Sequence, residues 1–359
     1  MKINLVMIVK NEERSLKQCL AAARHLVDEM IVVDTGSTDH TREIAREMGA
    51  RLLEFAWVND FSAARNFALG QSGADWNLVL DADETLRPFG RKRLERALKA
   101  RGGVWLGGIT IYNAYRDEGG VSVSASVHPR ILPRGVRYMG PIHEQPEGCH
   151  PCYAVSLEAD HDGYLDTDKG ERNLPYLERA VEEYPEDGYY RYQLAATLRN
   201  LKRPEESIAY FRSFYRLAEP GTVYRAEGVV LYLYTLLDLG TPGYLDEASD
   251  LIGREEAALG DWADFCFVCG LFYMKRVLSD VGRYIGLLPN IEKCYLKCLE
   301  IGERPEAGGV VGTGSFKAAY NLGAWYEVSG QEGLARKYYG MAAREGYEAA
   351  RERLKALDG

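Results

Sequence analysis

The chain has 359 residues, 46% of them hydrophobic, which is enough for two domains with cores of their own. Its net charge of −9 excludes a general affinity for nucleic acid, whose phosphates demand clustered Lys and Arg, but leaves room for a local basic cleft around a diphosphate. Seven cysteines, few and odd in number, argue against a disulfide framework, and no apolar run approaches the roughly 20 residues of a bilayer span.

The first segment, MKINLVMIVKNE, is apolar only from Ile3 to Val9. Charges follow at once with no small-residue cleavage site, so it reads as a buried first strand of a cytoplasmic protein and not as a signal sequence. MIVVDT, ARLLEFA and WNLVLDAD repeat the pattern of a short Val/Leu/Ile-rich run followed by a stretch of helical length. Runs apolar on both faces that alternate with helices predict a parallel sheet covered on both sides, with ligands at the carboxyl ends of its strands. From about residue 103 the period becomes strand-like, in VWLGGITIYNAY, VSVSASVHPRILPR and VRYMGPIHEQ, with no long helix between. These predict an antiparallel extension of the sheet.

From about 170 strand signals stop, and the chain becomes helical, rich in Tyr and Ala, and broken at PED, KRPEE, EPG, GTPGY and SGQEG. In NLGAWYEVSGQEGLARKYYGMAAREGY, Leu322, Gly323, Tyr326, Gly330, Ala335, Tyr339 and Ala342 fall at the spacing of a tetratricopeptide helix pair. Gly323 and Ala335 would let the two helices approach, with Tyr326 and Tyr339 filling the space between them. Leu194, Ala195, Leu198 and Phe211 form a looser copy, and 225–260 reads as another pair. The expected division is 1–167, an α/β domain, and 168–359, a helical repeat domain. Two Cys-x-x-Cys pairs raise the question of zinc. Cys266 and Cys269, with Cys294 and Cys298, fit the inner faces of a further helix pair as small hydrophobes, while Cys149 and Cys152 lie in the turn-like GCHPCY.

The segments with chemistry in them come in a fixed order: MIVKNEE, VVDTGSTDHT, FSAARNFAL, LVLDADE. In Asp81-Ala82-Asp83 the alternation of an extended segment puts both acids on one side, where carboxylate oxygens suit a hard divalent cation bound to a sugar diphosphate. Asp34 ends the second strand pattern at the same edge, and Ser37, Thr38 or Asp39 can cap the helix after it. A helix-capping turn with solvated acids is the plain alternative for LDADET.

The four elements together resemble the family-2 glycosyltransferases of the GT-A fold, well over residues 1–90 and loosely over 91–165. The resemblance implies a metal-dependent inverting transfer of a hexose or N-acetylhexosamine from a UDP-sugar, with Mn2+ or Mg2+ as cofactor. It implies Asp83 as metal ligand, Asp81 on ribose or metal-bound water, and Asp34 accepting a hydrogen bond from the uracil N3–H. Val9 and Glu12 would lie near the base, and Arg65 and Asn66 along the nucleotide, although an Arg there also serves as a simple partner for an acid. A third ligand in such folds is often a late His. His143 and His161 are the candidates, and His161 is preferred because it follows an apolar–polar alternation and precedes the Gly-Tyr turn of HDGY. An inverting displacement needs a base near the acceptor. GPIHEQ offers Glu144, in a spelling that departs from the family's common acidic dipeptide, and pairing of Glu144 with Arg130 or Arg134 is the alternative.

The joined repeats resemble a bacterial subgroup that includes the sublancin-type peptide S-glycosyltransferases, and stacked helix pairs suit an extended peptide. A peptide or protein side chain is therefore the expected acceptor, bound by the repeats and their tyrosines Tyr189, Tyr190, Tyr192, Tyr232 and Tyr234. A surface polysaccharide or lipid-linked glycan is the alternative acceptor, and homodimerisation an alternative role for the repeats. A reading of another class, a repeat-type interaction protein with a decayed transferase domain, sits badly with intact Asp34, Asp81 and Asp83, since acids are costly to cluster. A nucleotidyltransferase would carry a Gly-rich loop after the first strand, where this chain has KNEERS.

Overall fold

The computed structural model describes residues 1–117, 120–148, 150–161 and 169–358. The chain divides into two compact units, Met1–Ala180 with Pro305–Gly308, and Val181–Arg304 with Gly309–Gly359.

The first unit opens with β1 (Ile3–Val9), α1 (Leu16–Ala23), β2 (Glu29–Asp34), α2 (Thr41–Glu47), β3 (Arg51–Glu54), α3 (Phe61–Gly70) and β4 (Trp76–Val79). The four strands pair in parallel, with β2 and β4 on either side of β1 and β3 beyond β2. Nearly every residue of β1, β2 and β4 is buried, as the continuous apolar runs require. There follow β5 (Glu84–Leu86), α4 (Arg91–Lys99), β6 (Leu106–Asp117), β7 (Gly120–Pro133), the short antiparallel pair β8 (Tyr138–Met139) and β9 (Gln145–Pro146), and β10 (Cys152–His161). The sheet order β3-β2-β1-β4-β7-β6-β10-β5 makes it mixed. The predicted antiparallel extension is present in β6 and β7, but β10 returns parallel to β6, and VRYMGPIHEQ forms a small separate hairpin in place of a long strand.

After β10 comes α5 (Lys169–Glu183), whose last turn begins the second unit, a series of helices: α6 (Gly188–Asn200), α7 (Pro204–Leu217), α8 (Val223–Leu239), α9 (Pro242–Leu259), α10 (Ala263–Ser279), α11 (Val281–Tyr284), α12 (Leu288–Ile301), α13 (Phe316–Val328), α14 (Glu332–Arg344) and α15 (Glu348–Asp358). The residue pattern predicted for the repeat explains the pairing. Three helix pairs bring a glycine against an aromatic ring: Gly228 against Phe214, Gly270 against Tyr295, and Gly323 against Tyr339. A Cβ on Gly323 would lie 2.7 Å from Cδ1 of Tyr339, whose hydroxyl donates to Glu327 at 2.7 Å and whose ring is buried on all sides. Gly323→Ala is therefore expected to destabilise the helical unit by about 1–3 kcal/mol, read as a lower urea midpoint at unchanged slope. A midpoint at or above the wild-type value would show that the two helices have room to part.

The five tyrosines expected to form a contact face belong instead to the core. Tyr190, Tyr192 and Tyr232 are buried, and Tyr189 and Tyr234 pack partly buried against the same cluster. Tyr192 packs against Phe214, Tyr232 stacks on Phe211 and Tyr189 meets Tyr224 edge-on, while the Tyr232 hydroxyl donates to Glu247. Cys266, Cys269 and Cys298 are buried, and Cys294 packs partly buried among them. Cys149 lies outside the described residues. Among these, no helix is long and apolar enough to cross a membrane.

Candidate functional site

The carboxyl ends of β1 and β2 are level, with Val9 opposite Asp34 in the ladder. Thr35 closes this edge by donating its amide (2.9 Å) and hydroxyl (3.1 Å) to the Val9 carbonyl. The loops that follow are joined through side chains. Asn11, at a φ of 58°, accepts from the Thr38 amide at 2.8 Å, and the Glu12 amide donates to Thr41 Oγ1 at 2.7 Å. The Glu12 carboxylate accepts from Ser15 at 3.0 Å. Asp34 is enclosed: it accepts from the amides of Gly36 (3.0 Å) and Ser37 (3.1 Å) and from Nε of Arg42 (2.8 Å) on α2. Burial alone would raise its pKa, yet Ser37, Arg42 and Gly36 together hold it below the ordinary carboxylate value. The partly exposed Arg42 pairs with Oδ2 of this enclosed carboxylate.

Past β4 the chain makes the turn that carries the spaced acids. Asp81 N donates to Glu84 Oε2 at 3.0 Å and Glu84 N to the Asp81 carbonyl at 3.1 Å, so Glu84 closes the turn around Ala82 and Asp83. The Asp81 carboxylate accepts from Arg65 on α3 at 2.6 Å and from Arg130 on β7 at 2.7 Å. Arg130 also bonds Glu84, and Nε of Arg65 bonds Glu144. The result is a continuous alternating row, Glu84–Arg130–Asp81–Arg65–Glu144. Burial would raise Asp81, but the two guanidiniums hold it well below the usual carboxylate range. Arg65 is placed by its helix, whose N-cap Asp60 accepts from Ala63 N at 3.0 Å. Nη1 of Arg65, Nε of Arg130 and the hydroxyl of Tyr138, all in this cluster, are buried without a protein hydrogen bond.

The antiparallel pairing of β5 with β10 sets His161 opposite Glu84. It brings His161 Nε2 to 3.3 Å from Asp83 Oδ2, joining residues far apart in the chain. Of the two candidate histidines it is thus His161 whose ring reaches Asp83. His143, at a φ of 48°, sits in the turn before Glu144, and burial pushes its pKa down. Among the described residues no three His, Cys, Asp or Glu side chains gather to hold a metal by themselves. A cation between Asp83 and His161 would take its remaining ligands from elsewhere, as oxygens of a bound diphosphate can supply.

Asn66 does not line this edge with a spare amide. Its Nδ2 donates to the Tyr138 carbonyl and its Oδ1 accepts from the Tyr138 amide, both at 2.8 Å, which ties α3 to the hairpin leading to Glu144. Sequence reasoning named Arg130 only as a partner for Glu144, and missed its place between Asp81 and Glu84. It also missed Glu84 itself, although an acid three residues after Asp81 is the spacing at which a side chain returns to a turn's own amide.

A parallel α/β core with an antiparallel extension, bearing Asp34 and an Asp-x-Asp turn on one carboxyl edge, defines a GT-A-type domain. Residues 5–143 match the family model described as glycosyl transferase family 2, and the first unit contains a domain of that family. A TPR repeat-containing protein of Synechococcus elongatus is 54% identical over 85 residues, 24% of this chain and 21% of its own. The SPbeta prophage-derived glycosyltransferase SunS of Bacillus subtilis is 25% identical over 217 residues, 57% of this chain and 51% of its own. The chain thus spans about half or less of the length of these curated relatives. Among solved structures, glucosyl-3-phosphoglycerate synthase from Mycobacterium tuberculosis in complex with Mn2+ and UDP-glucose is similar at 25% identity, over 31% of this chain and 43% of that one, with a TM-score of 0.27.

Proposed function

We propose that the first unit is an inverting glycosyltransferase that moves a hexose or N-acetylhexosamine from a UDP-sugar to a side chain of a peptide or protein held by the helical repeats. The observation that carries this is the meeting of Asp83 and His161 beside the Asp81 turn, on the sheet edge of a glycosyl transferase family 2 domain. Asp83 and His161 would hold Mn2+ or Mg2+, which when bound offsets the charge that builds on the departing diphosphate. Asp34 accepts the uracil N3–H on Oδ1, whose contact within the chain is the Ser37 amide at 3.2 Å. Arg65 and Arg130 keep Asp81 ionised and fixed in place for the ribose. In the transfer the bond from the anomeric carbon to the diphosphate oxygen breaks, and its electron pair leaves with UDP. The acceptor oxygen or sulfur bonds to the opposite face, and its proton passes to Glu144. The repeats support a peptide acceptor because stacked helix pairs present an extended surface to an extended chain.

UDP with Mn2+ is expected to raise the melting temperature by mass action, with a smaller response to UDP alone. No response to UDP together with a clear one to GDP or CDP would overturn the uridine assignment.

A further inference from the structure

His161 is held from behind as well as facing Asp83. It lies at the end of β10, level with Asn113 on β6, and its Nδ1 is 2.8 Å from Asn113 Oδ1. The Asn113 amide donates to Ser126 Oγ on β7 at 3.1 Å, and Ser126 Oγ is 2.8 Å from Nε2 of His128. An amide oxygen only accepts, so Nδ1 of His161 carries the hydrogen. Ser126 Oγ accepts from Asn113, and with two lone pairs and one hydrogen it can give or take a hydrogen at His128. A neutral His161 protonated on Nδ1 turns a lone pair on Nε2 toward the Asp83 carboxylate, 3.3 Å away. Two acceptors at that distance repel unless a proton or a metal cation lies between them. The donor set, one carboxylate and one imidazole nitrogen, fits the divalent cation of the proposed reaction.

We infer that Asn113, braced by Ser126 and His128, is a positioning residue that fixes His161 in the Nδ1–H tautomer and so aims Nε2 at a divalent cation shared with Asp83. The inference rests on the reading of this edge as a metal-assisted donor site. The bracing spans three adjacent strands of the sheet, β10, β6 and β7. Outer partners of this kind fix both the tautomer and the ring plane of a ligating histidine, and their loss weakens metal affinity roughly 10–100-fold.

The opposite orientation of the amide makes a different prediction. There, Asn113 would donate to Nδ1, the hydrogen of His161 would sit on Nε2, and Asp83 would merely accept it. Nitrogen NMR of the metal-free wild-type protein separates the two. The Nδ1–H tautomer of His161 is expected, and the Nε2–H tautomer would overturn the proposal. Mn2+ titration in the presence of UDP, followed by calorimetry, gives the second readout. Asn113→Leu, similar in size but without an acceptor, is expected to lose roughly 10–100-fold in Mn2+ affinity. Asn113→Asp keeps an acceptor for the His161 N–H and is expected to stay within a few-fold of wild type. Wild-type affinity in Asn113→Leu, or equal losses in both variants at unchanged melting temperature, would overturn the positioning role. A wild-type protein that binds no Mn2+ yet shows the Nδ1–H tautomer would sink the proposed function while upholding the bracing of His161.

Discussion

Asp83→Ala is expected to abolish the Mn2+-dependent part of UDP binding and to lower turnover roughly 10³-fold or more, while the unliganded protein melts near the wild-type temperature. The magnitude follows from the several kcal/mol that a cation contributes to a leaving diphosphate, at about 1.4 kcal/mol for each tenfold in rate. The small effect on stability follows from where Asp83 sits. The alternating row of charges that knits the turn into the fold runs through Glu84, Arg130, Asp81, Arg65 and Glu144, and bypasses Asp83. The Asp83 carboxylate instead faces His161, an arrangement suited to a ligand. Removing it leaves His161 held by Asn113 and Glu84 still closing the turn. Turnover at the wild-type level in Asp83→Ala, or full wild-type activity in EDTA, would overturn the metal reading.

The core of the first unit and the placement of acids at its edge were legible because both are local. Continuous apolar runs such as Ile3–Val9 specify strands buried on both faces, and an acid at the end of such a run falls at a ligand-binding edge whatever the rest of the chain does. Gly323 and Tyr339 were legible for the same reason, since one helix hairpin contains both. The partners of the acids were not. Arg130 reaches Asp81, and Asn113 reaches Ser126, only because β7 lies between β4 and β6 in one particular register, with an irregularity at Gly107/Gly108. A one-residue slip in that register would turn each of these side chains to the other face, and the polar alternation of VSVSASVH does not choose between the two. The tyrosines failed for a different reason. A tyrosine offers the same ring to a core as to a partner, and composition does not report whether a neighbouring helix covers it.

Glu144→Gln is expected to lower kcat by roughly 10²-fold or more with little change in donor affinity, because an amide keeps the shape of the carboxylate and can still accept from Arg65 but takes up no proton. The pairing with Arg65 bears on this in two ways. It fixes Glu144 with respect to the Asp81 turn, since the same guanidinium binds both, so a hydroxyl presented to Glu144 is also presented at a defined distance from the donor site. It also occupies Oε1 of Glu144, one of the two carboxylate oxygens. Changing Arg65 instead would leave Glu144 without its guanidinium and Asp81 with Arg130 alone in a largely buried site, at a cost of about 3–5 kcal/mol of stability, so a fall in activity there would not isolate proton transfer. The Gln substitution keeps one hydrogen bond to Arg65 and leaves Asp81 its two guanidiniums, which makes the kinetic effect readable. A cysteine acceptor would show a smaller loss, because a thiol ionises near neutral pH with little help. Comparing Glu144→Gln on matched serine and cysteine peptides therefore tests both the base and the linkage. A near-normal kcat on the serine peptide would remove Glu144 from proton transfer and leave His143, in the same turn, as the group to test.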